Sequence, residues 1–330
     1  MKTVKNIYSK IWDMDNLRMA HVNAQRGKRD HKDVIHVNEF EPYYLQKLQD
    51  ILISKTFKNS PYRVFKLVDK GKQRDIYDLP YFPDRILHHA ILQVLEPIWK
   101  SLLIRNTFQS IKGRGVEDGR RHMKKMLANK DAKYCLQFDI SKYYPSINNE
   151  ILKQIIRKKI ADKDVLRLTD EIIDSTVGVP IGSYISQYEG NVYLAYFDHW
   201  VKEKLKIKYY ARYCDDVILM HEDKDYLQYC LIKIEYYLEK NLKLKIKKNY
   251  QVYPIKKRRI DFLGFRMDNR KTYLRKRITK NFKRKVIQYN NGKKKAAKGI
   301  TSYYGWFKHS DSWKLWNKYI KDFNQIKKAA

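Results

Sequence analysis

Two apolar segments of this chain each end on acidic residues, and this feature constrains the fold more than any other. Residues 133–140 are typical of a buried strand that ends at Asp139, and residues 207–221 of two short strands that meet at a tight turn containing Asp215 and Asp216. Adjacent aspartates in a β-rich segment are costly, because like charges are held close together in a half-buried place. A divalent cation removes this cost, and carboxylate oxygens are ligands that Mg²⁺ prefers. An ordinary Asx turn is the alternative interpretation of Asp215 and Asp216 taken alone.

The charge balance of the chain predicts a polyanionic partner. Its 330 residues include 70 Lys and Arg against 36 Asp and Glu, which gives a formal net charge of +34. A polyanion relieves the self-repulsion of such a surplus and releases its own condensed counterions. The 27 tyrosines support nucleic acid, since aromatic faces beside basic groups hold unpaired bases by stacking. The alternatives are a lysine-rich surface that only maintains solubility, and an anionic membrane surface.

Hydropathy and cysteine content exclude several other classes of protein. The sequence has no run of about 18 apolar residues, so we expect no membrane-spanning helix. The first residues are polar and charged and lack the apolar core of a signal peptide. The three cysteines form neither a paired framework nor a zinc-ligand spacing. We therefore predict a cytoplasmic protein with no membrane partner.

Hydrophobic periodicity and composition predict the order of elements. Residues 1–60 are typical of basic helices, with a helix start near residues 38–42. Residues 61–80 are typical of a hairpin-like strand pair, and a helix is expected after it at about 84–98. A helix is expected at about 148–160, and a single long helix at 184–203. Residues 270–330 are very rich in Lys and Arg and contain three tryptophans, which we interpret as the core of a small helical domain.

The acidic motifs resemble those of reverse transcriptases with the right-hand polymerase fold. Asp139 followed five residues later by Tyr144 is similar to their motif A, and Tyr213-Cys214-Asp215-Asp216 is similar to their Tyr-x-Asp-Asp motif C. The resemblance covers about residues 61–268 and implies an α+β fold with an antiparallel palm sheet and a helical thumb. It implies four segments: an N-terminal helical extension (1–60), the fingers (61–137), the palm with some inserted fingers elements (138–268) and a basic helical thumb (269–330).

The resemblance also implies the catalytic groups. Asp139, Asp215 and Asp216 would be catalytic and, with the backbone carbonyl of Ile140, would bind two Mg²⁺ ions, for which Mn²⁺ can substitute. Two such ions activate a 3′-hydroxyl and stabilise the leaving pyrophosphate during in-line displacement. Tyr144 would be the steric gate that excludes a ribose 2′-hydroxyl, and core packing is the alternative for this residue.

Motifs before the palm supply implied contacts with nucleotide and template. Lys70-Gly71-Lys72-Gln73-Arg74 is similar to the fingers hairpin that grips the incoming triphosphate. By this resemblance the planar guanidinium of Arg74 would bind phosphate oxygens, and Lys66 is a second candidate. A solvated turn is the alternative for Lys72. Arg114 would contact the template backbone.

Motifs of the palm supply further implied contacts. Lys248 would protonate the leaving pyrophosphate as a general acid, and a solvated position is its alternative. In the fingers, His88 and His89 are interpreted as helix packing or RNA contacts rather than metal ligands, because no third ligand is apparent. The motif similar to the primer grip, which holds the primer 3′ end, consists of Phe262, Leu263, Gly264 and Phe265.

Motif B resembles that of the reverse transcriptases of diversity-generating retroelements. Most bacterial relatives carry Pro-Gln-Gly and then Ser-Pro, whereas this chain has Pro180-Ile181-Gly182 and then Ser186-Gln187. Ile181, Gly182 and Gln187 would lie at the incoming nucleotide, where glycine permits close backbone approach. Because Ile181 replaces a polar, orienting glutamine, we expect lower discrimination between nucleotides. The subfamily resemblance implies that this low fidelity occurs opposite template adenine. Simple packing is the alternative for Ile181.

The implied function is RNA-directed DNA polymerisation by a bacterial or phage-encoded diversity-generating retroelement. Two-metal-ion nucleotidyl transfer would make error-prone, adenine-mutagenised cDNA from a template-repeat RNA. The implied partners are the RNA template and primer, the cDNA, deoxynucleoside triphosphates and a small basic oligomeric accessory protein, associated through RNA because two basic proteins repel each other. Two alternatives remain: an abortive-infection or defence-type reverse transcriptase with little template dependence, and a non-catalytic RNA-binding scaffold.

Overall fold

The computed structural model describes residues 3–69, 71–293 and 295–328, and it shows an α+β protein. The helices of the described residues are α1 (Tyr8–Trp12), α2 (Met14–Ala24), α3 (Lys32–Glu39), α4 (Glu41–Ile53), α5 (Ile86–Lys100), α6 (Val116–Leu127), α7 (Tyr143–Ser146), α8 (Asn149–Arg157), α9 (Lys163–Ile173), α10 (Ser186–Tyr193), α11 (Ala195–Glu203), α12 (Lys224–Leu242), α13 (Lys276–Asn290), α14 (Ala296–Lys308), α15 (Trp313–Tyr319) and α16 (Phe323–Lys328). The strands are β1 (Arg63–Asp69), β2 (Lys72–Asp78), β3 (Tyr134–Asp139), β4 (Tyr209–Tyr213), β5 (Asp216–His221), β6 (Gln251–Pro254), β7 (Ile260–Phe262), β8 (Phe265–Met267) and β9 (Thr272–Leu274). A short π-type turn (Tyr81–Arg85) precedes α5. No helix in these ranges is long and apolar enough to cross a membrane.

The chain folds into two compact units, each made of interleaved segments. The first unit comprises Met1–Arg105, Ile140–Lys204 and Lys233–Lys247, and the second comprises Asn106–Asp139, Leu205–Ile232 and Lys248–Ala330. The four predicted segments, 1–60, 61–137, 138–268 and 269–330, stay predictions.

The first unit begins with four helices, as the sequence predicts for residues 1–60. The Asp13 side chain caps α2 by accepting hydrogen bonds from the amides of Asp15 and Asn16. Helix α4 begins at Glu41 with a proline in its first turn, where the missing amide hydrogen costs nothing. Its residues Leu45, Leu48 and Leu52 are buried, which is the helical spacing of a core-facing stripe.

Strands β1 and β2 form the predicted hairpin in the first unit. They pair antiparallel over their full length, with Arg63 opposite Asp78 and Leu67 opposite Arg74. Gly71 at the tip has φ +75°, a left-handed conformation that glycine adopts without steric cost. Lys70 lies outside the described residues, and so does the side chain of Lys72.

The second unit contains a four-stranded antiparallel sheet in the order β4-β5-β3-β6. Its inner strands are apolar because they are covered on both faces, and the four residues Val217 to Met220 of β5 have no exposed surface. The predicted strand that ends at Asp139 and the predicted hairpin at residues 207–221 are both confirmed.

A three-stranded sheet, β7-β8-β9, and helices α13 to α16 complete the second unit. Phe282, Phe307 and Trp316 form its aromatic centre, with Phe282 stacked on Trp316 at 5.4 Å between ring centroids. Trp306 packs against Phe265 of β8. The expectation that the tryptophans belong to the core therefore fails only for Trp313, which is 36% exposed.

The single long helix expected at residues 184–203 is wrong. Helix α10 ends at Tyr193, Leu194 leaves helical geometry with φ −95° and ψ 2°, and α11 begins at Ala195. Apolar residues continue at helical spacing across Leu194, so hydrophobic periodicity did not reveal the break.

Candidate active site

Strand register brings the three acidic residues to one end of the four-stranded sheet. Asp139 is the last residue of β3 and is the pairing partner of Asp216, the first residue of β5. Directly opposed residues in an antiparallel ladder have their Cα atoms about 4.5–5.5 Å apart. Asp215 occupies the two-residue turn between β4 and β5, because Tyr213 pairs directly with Asp216. The predicted convergence of the strand ends is therefore observed, and the catalytic roles of these residues stay predictions.

The side chain of a buried arginine stabilises the turn that carries Asp215. Cys214 has φ +58°, an uncommon conformation for a residue with a side chain. Arg212 has no exposed surface, and its Nη1 donates a hydrogen bond of 3.1 Å to the carbonyl oxygen of Cys214. Backbone strain of this kind persists only where the surroundings enforce it, and it concentrates at functional sites.

The carboxyl group of Asp216 has a raised pKa. Burial, followed by the charges of Asp139 and Asp215, raises its pKa from the ordinary value of 3.8 to about 7, although a hydrogen bond from Gln137 and the charge of Arg275 act in the opposite direction. The shift is what desolvation and crowding of like charges produce together. A bound cation would reverse it by favouring the ionised carboxylates.

The donor set at the sheet end fits a hard divalent cation. The side chains of Asp139, Asp215 and Asp216 supply only oxygen atoms, which is the preference of Mg²⁺. Across the residues that the structure describes, no three His, Cys, Asp or Glu side chains are arranged closely enough to hold a metal ion as they stand. The charges of Asp139 and Asp215 add to the effect of burial in raising the pKa of Asp216, so a cation beside these carboxylates would favour their ionised forms.

The two tyrosines of motif A have different environments in the first unit. Tyr143 is buried, and its hydroxyl donates a hydrogen bond to the carbonyl oxygen of Gly190. Tyr144 is half-buried, and its ring edge lies so close to Gly190 that a Cβ there would come within 3.1 Å of it. Tyr143 is thus the core tyrosine, while Tyr144 keeps part of its ring accessible. The steric-gate role of Tyr144 stays a prediction.

The motif B loop is tied to strand β2. The amide of Tyr77 donates a hydrogen bond of 2.8 Å to the carbonyl oxygen of Ile181. Gly182 has φ +126°, and a Cβ at this position would lie 2.5 Å from the carbonyl oxygen of Tyr77. Glycine is therefore required here by the approach of another strand's backbone, a reason that the sequence did not reveal. Ile181 is half-buried and Gln187 is exposed, and their contacts with nucleotide stay predictions.

His88 and His89 both line a cavity of about 330 Å³ in the first unit. His88 is buried, its Nδ1 lies 3.1 Å from Ser183 Oγ, and burial lowers its pKa to about 3. His89 stacks on Tyr184 with ring centroids 4.2 Å apart, and burial lowers its pKa to about 4. Both rings are therefore neutral at pH 7. Arg26, Lys28, Arg85 and Gln187 also line the cavity.

The remaining predicted residues lie on exposed or loop positions, which suits contacts with a ligand but does not test them. Arg74 on β2 and Lys66 on β1 are exposed. Arg114 is half-buried in the loop before α6, and Lys248 is exposed in a turn. Ile140 is buried and forms an isolated β-bridge with Ile246.

The motif similar to the primer grip is the β7–β8 hairpin. Phe262 and Phe265 pair across it and are 0% and 1% exposed, so their rings form the core that supports the turn. Leu263 and Gly264 form the turn with positive φ angles, and a Cβ at Gly264 would lie 2.6 Å from the ring of Trp306. A contact of this hairpin with a primer stays a prediction.

Sequence analysis missed a group of polar residues beside this hairpin. The side chain of Gln137 donates hydrogen bonds to the carboxyl group of Asp216 and to the carbonyl oxygen of Asp261. Arg275 in turn pairs with the carboxyl group of Asp261. A cavity of about 350 Å³ on the same sheet is lined by Arg258, Arg259, Asp261, Arg266, Arg275, Lys276 and Arg277. Alternation along β3 places Gln137 on the same face as Asp139, which was a usable sequence signal that Gln137 lies near the site. Asp261 and Arg275 are distant in sequence from Gln137 and Asp216, so no sequence pattern indicated their position.

The α+β architecture, with an antiparallel sheet that carries the carboxylates, is the right-hand polymerase fold. The sequence pattern of the family "Reverse transcriptase (RNA-dependent DNA polymerase)" matches residues 58–267. The chain therefore belongs to the reverse transcriptase family.

Two further comparisons find similar proteins at low sequence identity. Protein YkfC of Escherichia coli (strain K12) is 27% identical over 175 residues, which are 48% of this chain and 46% of that protein. Apo telomerase from Candida tropicalis has a TM-score of 0.50 and 14% identity, over 66% of this chain and 49% of that one. Telomerase from the same organism in complex with a fragment of telomeric RNA has a TM-score of 0.50 and 14% identity. The similarity covers 76% of this chain and 52% of that one. The telomerases show the fold alone, and the chain spans about half the length of each of these proteins.

Proposed function

We propose that this protein is an RNA-directed DNA polymerase. The observation that carries the proposal is the pairing of Asp139 with Asp216 beside the turn that holds Asp215. Membership of the reverse transcriptase family supports the same activity. The solved telomerase in complex with a fragment of telomeric RNA supports RNA as a partner, and the net charge of +34 supports binding of a polyanion.

In this proposal the carboxylates contribute to the reaction by binding divalent cations. Asp139, Asp215 and Asp216, with the backbone carbonyl of Ile140, would hold two Mg²⁺ ions, for which Mn²⁺ could substitute. When bound, these ions stabilise the charge that develops on the attacking 3′-oxygen and on the leaving pyrophosphate. Ionised carboxylates are required, so ion binding must lower the pKa of Asp216 from about 7.

Other side chains bind and orient the substrates. The guanidinium of Arg74 binds triphosphate oxygens, with Lys66 as a second cation on the same hairpin. Tyr144 excludes a ribose 2′-hydroxyl and so selects deoxynucleotides. Lys248 donates a proton to the leaving pyrophosphate. Template and primer are held by Arg114 and by the hairpin turn at Leu263-Gly264.

Motif B supports a more specific proposal, a polymerase of a diversity-generating retroelement. Ile181 supplies no amide to the incoming nucleotide, so a mispaired nucleotide loses less binding energy than it would beside a glutamine. Errors would therefore accumulate, and the resemblance of motif B to this subfamily implies errors at template adenines. A small basic accessory protein, bound through RNA, and a template-repeat RNA complete the proposed system.

Primer extension on a defined RNA template tests both proposals. With Mg²⁺ and deoxynucleotides we expect the wild type to extend a primer, and Asp215→Asn to lower the rate by more than about a hundredfold because a cation ligand is lost. Asp30→Asn is the matched control, since Asp30 is exposed in a loop of the first unit. RNA affinity is measured in parallel to show that each variant is folded.

The products distinguish the alternatives. Template-copied cDNA with changes at adenines supports the diversity-generating role, whereas DNA made without regard to the template favours a defence-type enzyme. If wild type and Asp215→Asn bind RNA equally and neither extends a primer, the protein is a scaffold and the proposed activity is wrong.

A further inference from the structure

The side chain of Gln137 lies between a predicted catalytic carboxylate and a different sheet. Gln137 precedes Asp139 by two residues on β3, so the two side chains lie on the same face of the strand. Its Nε2 donates to Oδ1 of Asp216 at 3.3 Å and to the carbonyl oxygen of Asp261 at 2.8 Å. Asp261 belongs to β7, so one carboxamide connects the four-stranded sheet with the three-stranded sheet.

The orientation of this carboxamide is fixed by its neighbours. Both atoms that face its nitrogen are acceptors, whereas the Tyr253 hydroxyl lies 3.3 Å from its Oε1 and can donate. A flipped amide would place its oxygen against two acceptors and its nitrogen against a donor. Tyr253 is itself 8% exposed on β6, so its hydroxyl is held in place by the sheet.

The far side of the network is anchored at the β7–β8 hairpin. The Arg275 guanidinium pairs with Asp261 through Nε, and its Nη2 lies 3.4 Å from the Asp261 carbonyl oxygen that also accepts from Gln137. The backbone amide of Arg275 donates to the carbonyl oxygen of Gly264, at 2.9 Å. The hairpin turn, the start of α13 and the carboxyl group of Asp216 are thus joined by consecutive hydrogen bonds through Gln137.

We propose that Gln137 is a positioning residue for nucleotidyl transfer, and that it fixes the Asp216 carboxylate relative to the β7–β9 sheet. The inference rests on the proposed function, in which Asp216 holds a cation and the hairpin turn holds the primer end. Reacting groups must be placed within a fraction of an ångström for efficient transfer. Partners that orient a metal-binding carboxylate typically contribute about 10–100-fold to metal affinity or activity.

Gln137→Leu removes both donated hydrogen bonds while keeping a side chain of similar size. Gln251→Leu is the matched control, because Gln251 is the cross-strand partner of Gln137 on β6 and is exposed. The measurements are kcat for single-nucleotide addition, Kd for primer–template, the melting temperature, and Mn²⁺ binding to the protein–nucleic acid complex by electron paramagnetic resonance. We expect Gln137→Leu to lower kcat by about 10–100-fold and to weaken Mn²⁺ binding several-fold, with Kd for primer–template within about twofold of wild type. Gln251→Leu should match wild type throughout.

Tyr253→Phe supplies a second variant that does not depend on the folding of the first. It removes only the hydroxyl that orients the carboxamide, so kcat should fall less than in Gln137→Leu, and the two changes should combine less than additively. The proposal is overturned if Gln137→Leu retains kcat and Mn²⁺ affinity within twofold, or if kcat falls only in parallel with primer–template affinity and melting temperature. If the wild type extends no primer, the proposed function fails, and Mn²⁺ binding alone decides whether Gln137 positions Asp216.

Discussion

At the scale of single residues, the carboxyl group of Asp216 couples the stability of the protein to pH. Its pKa is raised to about 7 in the folded protein by burial and by the charges of Asp139 and Asp215, whereas in an unfolded chain it is near 3.8. Between these values the folded state binds more protons than the unfolded state. Stability therefore falls as pH rises from about 4 to about 7, because the buried carboxyl must ionise.

Asp216→Asn should remove this dependence. Without divalent cations, we expect the difference in the free energy of unfolding, variant minus wild type, to increase by about 1–3 kcal/mol between pH 4 and pH 7.5. Above pH 7.5 this difference should change little. Urea unfolding at a series of pH values measures the difference, and Asp30→Asn, on an exposed loop, should show none. Added Mg²⁺ should shrink the difference, because it stabilises the ionised wild type. A difference that is the same at pH 4 and pH 7.5 would contradict the assigned pKa.

The residues that could be predicted from sequence are those that a short sequence pattern marks. Asp139 ends an apolar strand, Asp216 begins one and Asp215 lies in the turn before it, so their positions follow from short patterns. Asp261 is 124 residues from Gln137, and no local pattern indicates that its carbonyl oxygen meets that side chain. Glu189 was missed for a similar reason. It lies within a motif expected to be a helix, yet it is 3% exposed, and burial raises its pKa to about 8.

At the scale of elements, the motif B loop depends on strand β2. The Tyr77 amide is bound by the Ile181 carbonyl, and the path of the loop leaves no room for a side chain at residue 182. Sequence patterns found both elements separately, the hairpin by its alternation and motif B by its resemblance. Their contact was not predictable, because it depends on backbone atoms, which are the same in every sequence.

Gly182→Ala tests this contact. The new methyl group would meet the Tyr77 carbonyl oxygen at 2.5 Å in a left-handed conformation, so we expect a loss of about 2–4 kcal/mol in the free energy of unfolding. Amide hydrogen exchange at Tyr77 should become faster, because its hydrogen bond to Ile181 is displaced.

Gly27→Ala is the matched control for that substitution. Gly27 also has a positive φ, +73°, but a Cβ there would have no heavy atom within 4 Å. It should lose about 1 kcal/mol from backbone strain alone and leave Tyr77 exchange unchanged. Equal effects of the two substitutions on Tyr77 exchange would show that the loop does not depend on β2.

At the scale of the whole molecule, the sequence determines the amount of charge and the structure shows its location. The net charge of +34 predicts affinity for nucleic acid but not where it binds. In the second unit, basic side chains line the cavity beside the β7–β9 sheet, among them Arg266 and Arg277. Lys10 and Lys32 of the first unit are exposed on helices and do not line that cavity.

The salt dependence of binding separates clustered charge from diffuse charge. Each phosphate contact that is lost should reduce the slope of log affinity against log salt concentration by about 0.7–0.9. We expect Arg266→Gln combined with Arg277→Gln to reduce that slope by about 1.5 for a primer–template, measured by fluorescence anisotropy between about 50 and 300 mM salt. Lys10→Gln combined with Lys32→Gln removes the same two charges and should change the slope by less than about 0.5, since exposed charges more than about 10 Å from a phosphate are screened. Equal slopes for the two pairs would mean that nucleic acid responds to the total charge of the molecule, and the cavity beside the β7–β9 sheet would then have no role in binding it.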